Sequence, residues 1–243
     1  MNHLDEIRKK TDSLNTREFL NFFLHTYPNQ VALASSFGAE DQVLTDMLVK
    51  ADAKVKIFTL DTGRLPNETY ECMQKTMDQY KIKIQALFPD REDVEKMTLE
   101  FGPNLFYQGV EKRKFCCQIR KVKPLKRYLS GLEFWISGLR REQSPTRDSI
   151  HRVEWDQANG IIKLSPLADW TRDQVWNHIK ENNVPYNALH DQGFASIGCA
   201  PCTRAIQPGE HERAGRWWWE NPDTKECGLH VKDGKIVRSS HTS

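Results

Sequence analysis

Val31-Ala-Leu-Ala-Ser35, Val55-Lys-Ile-Phe-Thr-Leu60 and Phe134-Trp-Ile-Ser137 are the stretches that decide the fold. Each is a short apolar run bounded by turn residues, the pattern of a strand buried on both faces. The segments between them have helical period. Ahead of the first run, Phe19, Leu20, Phe23, Leu24 and Tyr27 recur at the spacing of an amphipathic helix, with Thr16 expected as its N-cap. Behind it, Ser36-Phe37-Gly38 turns into a helix bearing Val43, Leu44, Met47 and Leu48. After the second run, Asp61-Thr62-Gly63 leads to a helix that Pro66 opens. A further strand is expected over 82–88 and a further helix over 90–101.

Strands separated by helices predict parallel βαβ units with right-handed crossovers, an α/β fold with a parallel sheet and flanking helices. Ligands of such sheets bind beyond the carboxyl ends of the strands, near a topological switch point. Three loops fall there: Ser35-Ser36-Phe37-Gly38, Asp61-Thr62-Gly63 and Gly138-Leu139-Arg140-Arg141. They are expected to converge on one site, the first offering backbone N–H groups to a phosphate.

Past Arg141 the character changes. Arg152 to Trp155 and Ile161 to Leu164 flank Asn159-Gly160, a hairpin signal. Thr171-Arg-Asp-Gln174 opens a helix as a capping box, with Val175, Trp176 and Ile179 on its buried face. From Val184 onward no long periodic run occurs, so the C-terminal segment is loop-rich. The expected division is a nucleotide-binding body over 1–210 and a mobile segment over 211–243.

The chain has 243 residues with Lys+Arg 35 against Asp+Glu 33, a net charge of +2. That balance argues against a general nucleic-acid binder. No run of 18 apolar residues is present to cross a membrane, and the N-terminal stretch lacks the apolar core of a secretory signal. The expected location is therefore the cytoplasm, which argues against structural disulfides. The 6 cysteines need another explanation.

Cys116-Cys117 is a tandem pair and Cys199-Ala-Pro-Cys202 a C-x-x-C. Two close pairs of thiols are what a soft metal centre requires. Zinc sites favour spaced pairs that fold back onto one ion, and adjacent side chains diverge. A four-iron cubane is wider and gives each of two tandem cysteines its own iron. Cys72, inside an expected helix, reads as a small buried hydrophobe. Cys227 stands apart in Glu226-Cys227-Gly228-Leu229-His230, a candidate nucleophile that would need positive charge nearby. Arg120-Lys121, Arg140-Arg141 and Arg213 with Arg216 are candidates to hold an anion. Trp217 to Trp219 are expected to pack a loop against the body.

Taken together, Cys116-Cys117-Gln-Ile-Arg-Lys-Val-Lys-Pro-Leu125, Ser137-Gly-Leu-Arg-Arg-Glu-Gln-Ser144, His190-Asp-Gln-Gly193, Ile197-Gly-Cys-Ala-Pro-Cys202, Gly215-Arg-Trp217 and Glu226-Cys-Gly-Leu-His230 resemble the assimilatory sulfonucleotide reductases, and within them the bacterial adenylyl-sulfate (APS) reductases. The resemblance runs from about Val31 to His230. It implies an adenine nucleotide α-hydrolase-like fold related to the ATP pyrophosphatases. It also implies one [4Fe–4S] cluster on Cys116, Cys117, Cys199 and Cys202, and a catalytic Cys227 assisted by Lys121 and His230. Substrate contacts are implied for Arg213, Arg216 and one of Arg140 and Arg141, with Ser35, Ser36, Phe37, Gly38, Asp61, Thr62 and Gly63 as further binding candidates. The implied reaction takes adenylyl sulfate and reduced thioredoxin (or glutaredoxin) to sulfite and AMP, within sulfate assimilation and cysteine biosynthesis, and a homo-oligomer is compatible with it.

Other readings stay open at this point. A cluster-bearing member can act on the 3′-phosphorylated substrate (PAPS) or on both. A redox-sensing nucleotide-binding protein would carry the cluster without turnover. An adenylating enzyme of the ATP-pyrophosphatase type is disfavoured, because Ser35-Ser-Phe-Gly-Ala-Glu-Asp41 lacks a glycine that close approach to pyrophosphate needs.

Overall fold

The computed structural model describes residues 3–144 and 147–221. In chain order it contains α1 (His3–Thr11), α2 (Thr16–Thr26), β1 (Val31–Ala34), α3 (Ala39–Ala51), β2 (Lys56–Leu60), α4 (Asn67–Tyr80), β3 (Gln85–Leu87), α5 (Arg91–Phe101), α6 (Val110–Cys117), α7 (Lys123–Leu129), β4 (Phe134–Ile136), β5 (Val153–Asp156), β6 (Ile161–Leu164) and α8 (Arg172–Glu181). The sheet order is β3-β2-β1-β4-β6-β5. All neighbouring pairs are parallel except β5 with β6, whose antiparallel hairpin turns at Gly160 in the left-handed region (φ 64).

The expected apolar runs form the strands for the expected reason. Val31 and Leu33 of β1, Ile57 of β2 and Phe134 and Ile136 of β4 face one layer with α2, α3 and α8. The alternate residues Ala32, Phe58 and Trp135 face the other layer with Leu125 and Leu129 of α7. Both faces are covered, so these strands are apolar apart from Lys56 and Thr59 of β2. Side-chain caps start α2, α5 and α8. Asn15, rather than Thr16, caps α2, in a capping box with Glu18, because its amide oxygen accepts from the Glu18 N–H. Asp90 caps α5, and Thr171 with Gln174 forms the expected box on α8. Cys72 is 1% exposed within α4, as a core residue.

The topology positions the site. β1 connects through α3 to β2 on one side, while its other neighbour β4 arrives later in the chain. The sheet order therefore reverses between β1 and β4, and the crevice outside their carboxyl ends is where a ligand fits. Residues 211–221, assigned from sequence to the mobile segment, pack into this body. Trp217 is 1% exposed, and Arg204 and Trp217 N–H groups donate to Gly215 and Cys202 carbonyls. Among the described residues no helix is long and apolar enough to cross a membrane.

Candidate active site

Two cavities meet at the carboxyl edge of the sheet. The larger holds about 1290 Å³ counted to its open mouth. Its floor is apolar, from Ala34, Phe58, Leu60 and Leu65 at the ends of β1 and β2, and its rim carries Lys121, Arg147, Arg213 and Arg216. Ser35, Ser36 and Gly38 line it from the β1–α3 turn, and Ser137 and Gly138 from the end of β4. An apolar slot ending in several cations is a site for a flat heterocycle joined to an anion.

The β1–α3 turn is held by Asp41. The Ser36 N–H and hydroxyl both donate to its Oδ2, at 2.6 and 2.7 Å. Burial pushes the Asp41 carboxyl up to about 6, against the pull of the Ser36 hydrogen bonds. Gly138 packs directly on Asp41, where any side chain would strike the carboxylate. Glu40 and Glu212 line the same cavity, both bound to the Arg140 guanidinium. Burial raises the Glu212 carboxyl and depresses His190, which lines the cavity with its Nδ1 2.8 Å from the Phe194 carbonyl.

The smaller cavity, about 310 Å³, is lined by Cys116, Cys117, Cys199 and Cys202 together with Arg64, Phe106, Arg113, Arg120, Lys121 and Pro201. Cys116 and Cys117 end α6, and the chain then makes one π-helical turn over Gln118–Val122, the Lys123 N–H donating to the Gln118 carbonyl. Such a turn inserts a residue into a helix, which re-aims the side chains around it. The C-x-x-C sits on a short 3₁₀ turn, Ala200–Cys202, tied to the β2–α4 loop by the Ala200 N–H on the Arg64 carbonyl. Thr62 Oγ1 lies 3.2 Å from Cys199 Sγ, and Arg120 Nη1 donates to the Thr62 carbonyl at 2.6 Å.

Four cysteine side chains thus ring one space, yet no group of His, Cys, Asp or Glu among the described residues closes on a single metal ion. Burial drives the Cys202 thiol up to about 12, and Cys199 adds to the rise. Burial also raises Cys116, which Arg120 opposes. Thiolates in so dry a space need cationic partners, and Arg120 Nε is a buried donor with no partner among the described residues. Four sulfurs around one space, with the Arg120 Nε–H as a spare donor at its wall, fit a polynuclear iron–sulfur group.

The C-terminal basic residues are pinned to the cysteines. Arg216 bridges to Thr203 in a short antiparallel contact, and its Nη1 donates to the Ile197 carbonyl at 3.2 Å. Gly198 is required there, since a side chain would enter the Arg216 guanidinium. Trp217 takes a positive φ of 41° and lies between two guanidiniums, Arg113 at 4.4 Å and Arg216 at 4.7 Å from its ring centroid. The aromatic run therefore packs as expected, with Trp217 also lining the larger cavity.

Several sequence-based candidates fall elsewhere. Neither Arg140 nor Arg141 lines the larger cavity. Arg140 is fully buried and committed to Glu40, Glu142 and Glu212 at 2.8 to 3.1 Å. Arg141 pairs with Asp169 and donates to the Ile150 carbonyl. The arginine of that stretch that does line the cavity is Arg147, which the sequence reading passed over because it follows no strand end. The Phe37 side chain enters the sheet core instead. Asp61, Thr62 and Gly63 do not line the larger cavity: Thr62 meets Cys199, and Asp61 accepts from the Gly63 N–H and the Tyr70 hydroxyl. Cys227 and His230 lie outside the described residues.

A mostly parallel sheet with a cation-rimmed crevice at its switch point defines a nucleotide-handling α/β enzyme. The phosphoadenosine phosphosulfate reductase domain model matches residues 30–205. An adenosine 5′-phosphosulfate reductase of Allochromatium vinosum is 48% identical over 227 residues, 92% of this chain and 89% of that protein. A crystal structure of phosphoadenylyl-sulfate (PAPS) reductase from Candida auris superposes with a TM-score of 0.71 at 28% identity, covering 84% of this chain and 96% of that one. Yeast FAD synthetase, at 13% identity and a TM-score of 0.56 over 84% of this chain and 69% of that one, shares the fold alone. The chain belongs to the phosphoadenosine phosphosulfate reductase domain family and is an oxidoreductase acting on a sulfur group.

Proposed function

We propose that this protein reduces adenylyl sulfate to sulfite and AMP in cytoplasmic sulfate assimilation, with thioredoxin (or glutaredoxin) as the dithiol and Cys227 as nucleophile. The observation that carries the reading is that Lys121 lines both cavities. One cation thereby serves a nucleotide-shaped slot and a ring of four cysteines. The substrate preference rests on the bacterial relatives named for the 5′-phosphosulfate.

In this reading adenine lies on Ala34, Phe58 and Leu60, and the phosphosulfate meets Lys121, Arg147, Arg213 and Arg216. The Cys227 thiolate attacks the sulfate sulfur, the S–O bond to the phosphate breaks, and AMP leaves with that oxygen and the bonding pair. Both partners are anions, so the surrounding cations must offset repulsion and stabilise charge developing on AMP. Cys227 now carries an S-sulfonate. A thioredoxin thiolate attacks its Sγ and expels sulfite, and the second thioredoxin thiol resolves the mixed disulfide. The dithiol supplies both electrons. Cys116, Cys117, Cys199 and Cys202 would hold a [4Fe–4S] cluster, whose contribution is local field and order around Lys121. A role for His230 in keeping Cys227 ionised belongs to the same proposal.

Cys227→Ser tests the reading. Wild-type protein incubated with adenylyl sulfate should gain the mass of one SO₃ on Cys227, and the variant should gain none while keeping its visible chromophore. Persistence of the adduct in the variant would move the nucleophile elsewhere. Turnover of adenylyl sulfate against its 3′-phosphorylated form fixes the substrate, and nucleotide binding without sulfite release would favour a redox-sensing role.

A further inference from the structure

Trp217 lines the nucleotide cavity and packs in the same buried group as Cys116, Cys117 and Cys202. Its side chain is 1% exposed, and two guanidiniums lie over its ring, Arg113 at 4.4 Å and Arg216 at 4.7 Å from the centroid. The backbone holds it there. Its N–H donates to the Cys202 carbonyl at 3.1 Å, and its carbonyl accepts from the Glu220 N–H at 2.8 Å. Its φ of 41° is a conformation that a bulky residue keeps only when the surrounding contacts impose it.

The two arginines differ in what else holds them. Arg113 gives Nε and Nη2 to the two Glu220 carboxylate oxygens, at 2.9 and 2.8 Å, so its charge is met by an opposite one. Arg216 lines the nucleotide cavity, is 7% exposed, and gives Nη1 to the Ile197 carbonyl at 3.2 Å. Its Nε is buried with no partner among the described residues, an arrangement that costs free energy until an acceptor arrives. A carboxylate would hold this guanidinium and cancel the charge that an anion in the cavity needs. An aromatic face holds it through the ring quadrupole and leaves the charge in place. The bare backbone of Gly198 lies against the same guanidinium, so ring and glycine together restrict where it can turn.

We propose that Trp217 is the positioning residue for Arg216: its ring aims the guanidinium at the anionic end of the bound nucleotide while leaving that charge uncancelled. The inference rests on the larger cavity being the nucleotide site, as proposed above. Its consequence is selective. Affinity for the anionic part of a ligand depends on the ring, and affinity for the nucleoside part does not.

The experiment is Trp217→Leu in the full chain, purified anaerobically with its chromophore. The probes are ADP and adenosine, followed by equilibrium titration. ADP carries a second phosphate where adenylyl sulfate carries its sulfate, and it has no sulfur to transfer. The Kd for ADP should rise about 5-fold, the scale of one guanidinium on one ring, with adenosine within about 2-fold of wild type. In an Arg216→Ala background the same substitution should change ADP affinity less than about 2-fold, since the ring then has no guanidinium to aim. Unchanged ADP affinity would overturn the proposal. So would equal losses for ADP and adenosine, which is what a ring that only walls the cavity produces, or the full loss persisting without Arg216. Should the Leu variant yield no coloured protein, Trp217→Phe carries the same cycle with a weaker aromatic face and an expected loss of about 3-fold for ADP alone. Failure of the underlying reading looks different: wild-type protein would then bind ADP no more tightly than adenosine.

Discussion

The nucleotide cavity and the cysteine cavity adjoin at Lys121, yet they are assembled in opposite ways. The first is made by the sheet. Its floor and turn come from the ends of β1, β2 and β4, where parallel pairing forces loops to gather, and only its cationic rim is added from elsewhere. The second owes little to the sheet. It brings Cys116 and Cys117 at the end of α6 against Cys199 and Cys202 on a loop, with a π-helical turn and a four-cation wall between them. The first cavity mixes carboxylates and cations and stands open. The second has cations, sulfur and aromatic carbon with its thiols driven toward the neutral form by burial. The lesson is that the nucleotide site follows from strand pairing, whereas the cysteine site depends on loop contacts such as the Ala200 N–H on the Arg64 carbonyl and the Trp217 N–H on the Cys202 carbonyl.

That contrast can be broken most sharply at the cysteines. Cys199→Ser should abolish the visible chromophore and turnover together and leave the sheet's thermal transition in place, measured by absorbance, sulfite release and circular dichroism. Retained colour with full activity would remove the four-sulfur assignment. Lys121→Ala addresses the shared boundary. It should slow S-sulfonation of Cys227 by about 10²–10³-fold, the usual loss when one charge-stabilising group is removed, while the protein stays coloured. An unchanged rate would take Lys121 out of the chemistry.

The smallest effect belongs to the nucleotide side. Asp41 has a folded-state carboxyl at about 6 against an ordinary 3.8. The folded state therefore holds the proton more tightly, and that contribution to stability is present below about 4 and lost as pH rises through 6. The shift corresponds to roughly 3 kcal/mol at most. Asp41→Asn cannot ionise, so its stability relative to wild type should rise by about 1–3 kcal/mol between pH 4.5 and pH 7.5, read from denaturant melts. Parallel pH curves for the two proteins would show that the carboxylate's desolvation is fully offset by Ser36.

Much of this was legible in the chain because it depends on local pattern. Apolar runs of strand length, Asn159-Gly160 between two of them and Thr171 with Gln174 each report a structure made by residues within a few positions of one another, and the described fold has those elements. The paired cysteines were legible for a chemical reason, since few environments tolerate four thiols brought together. Arg140 and Arg141 show where such reading stops. Both follow a strand end and both are cations, yet Arg140 is surrounded by Glu40, Glu142 and Glu212 and Arg141 by Asp169 and a carbonyl.

The sequence by itself determined the alternation of strands and helices, the buried character of the sheet and which residue types carry the chemistry. Only the tertiary structure decided which cations face the crevice: Arg147 rather than its neighbours, and Lys121 at the junction of two cavities. It also decided that residues 211–221 belong to the body, held by Arg113 on Glu220 and by Trp217 between two arginines. The physical reason is range. Propensity and periodicity act across a few residues, whereas the destination of a charge is set by whichever opposite charge the fold brings within hydrogen-bonding distance, here as many as 107 positions away.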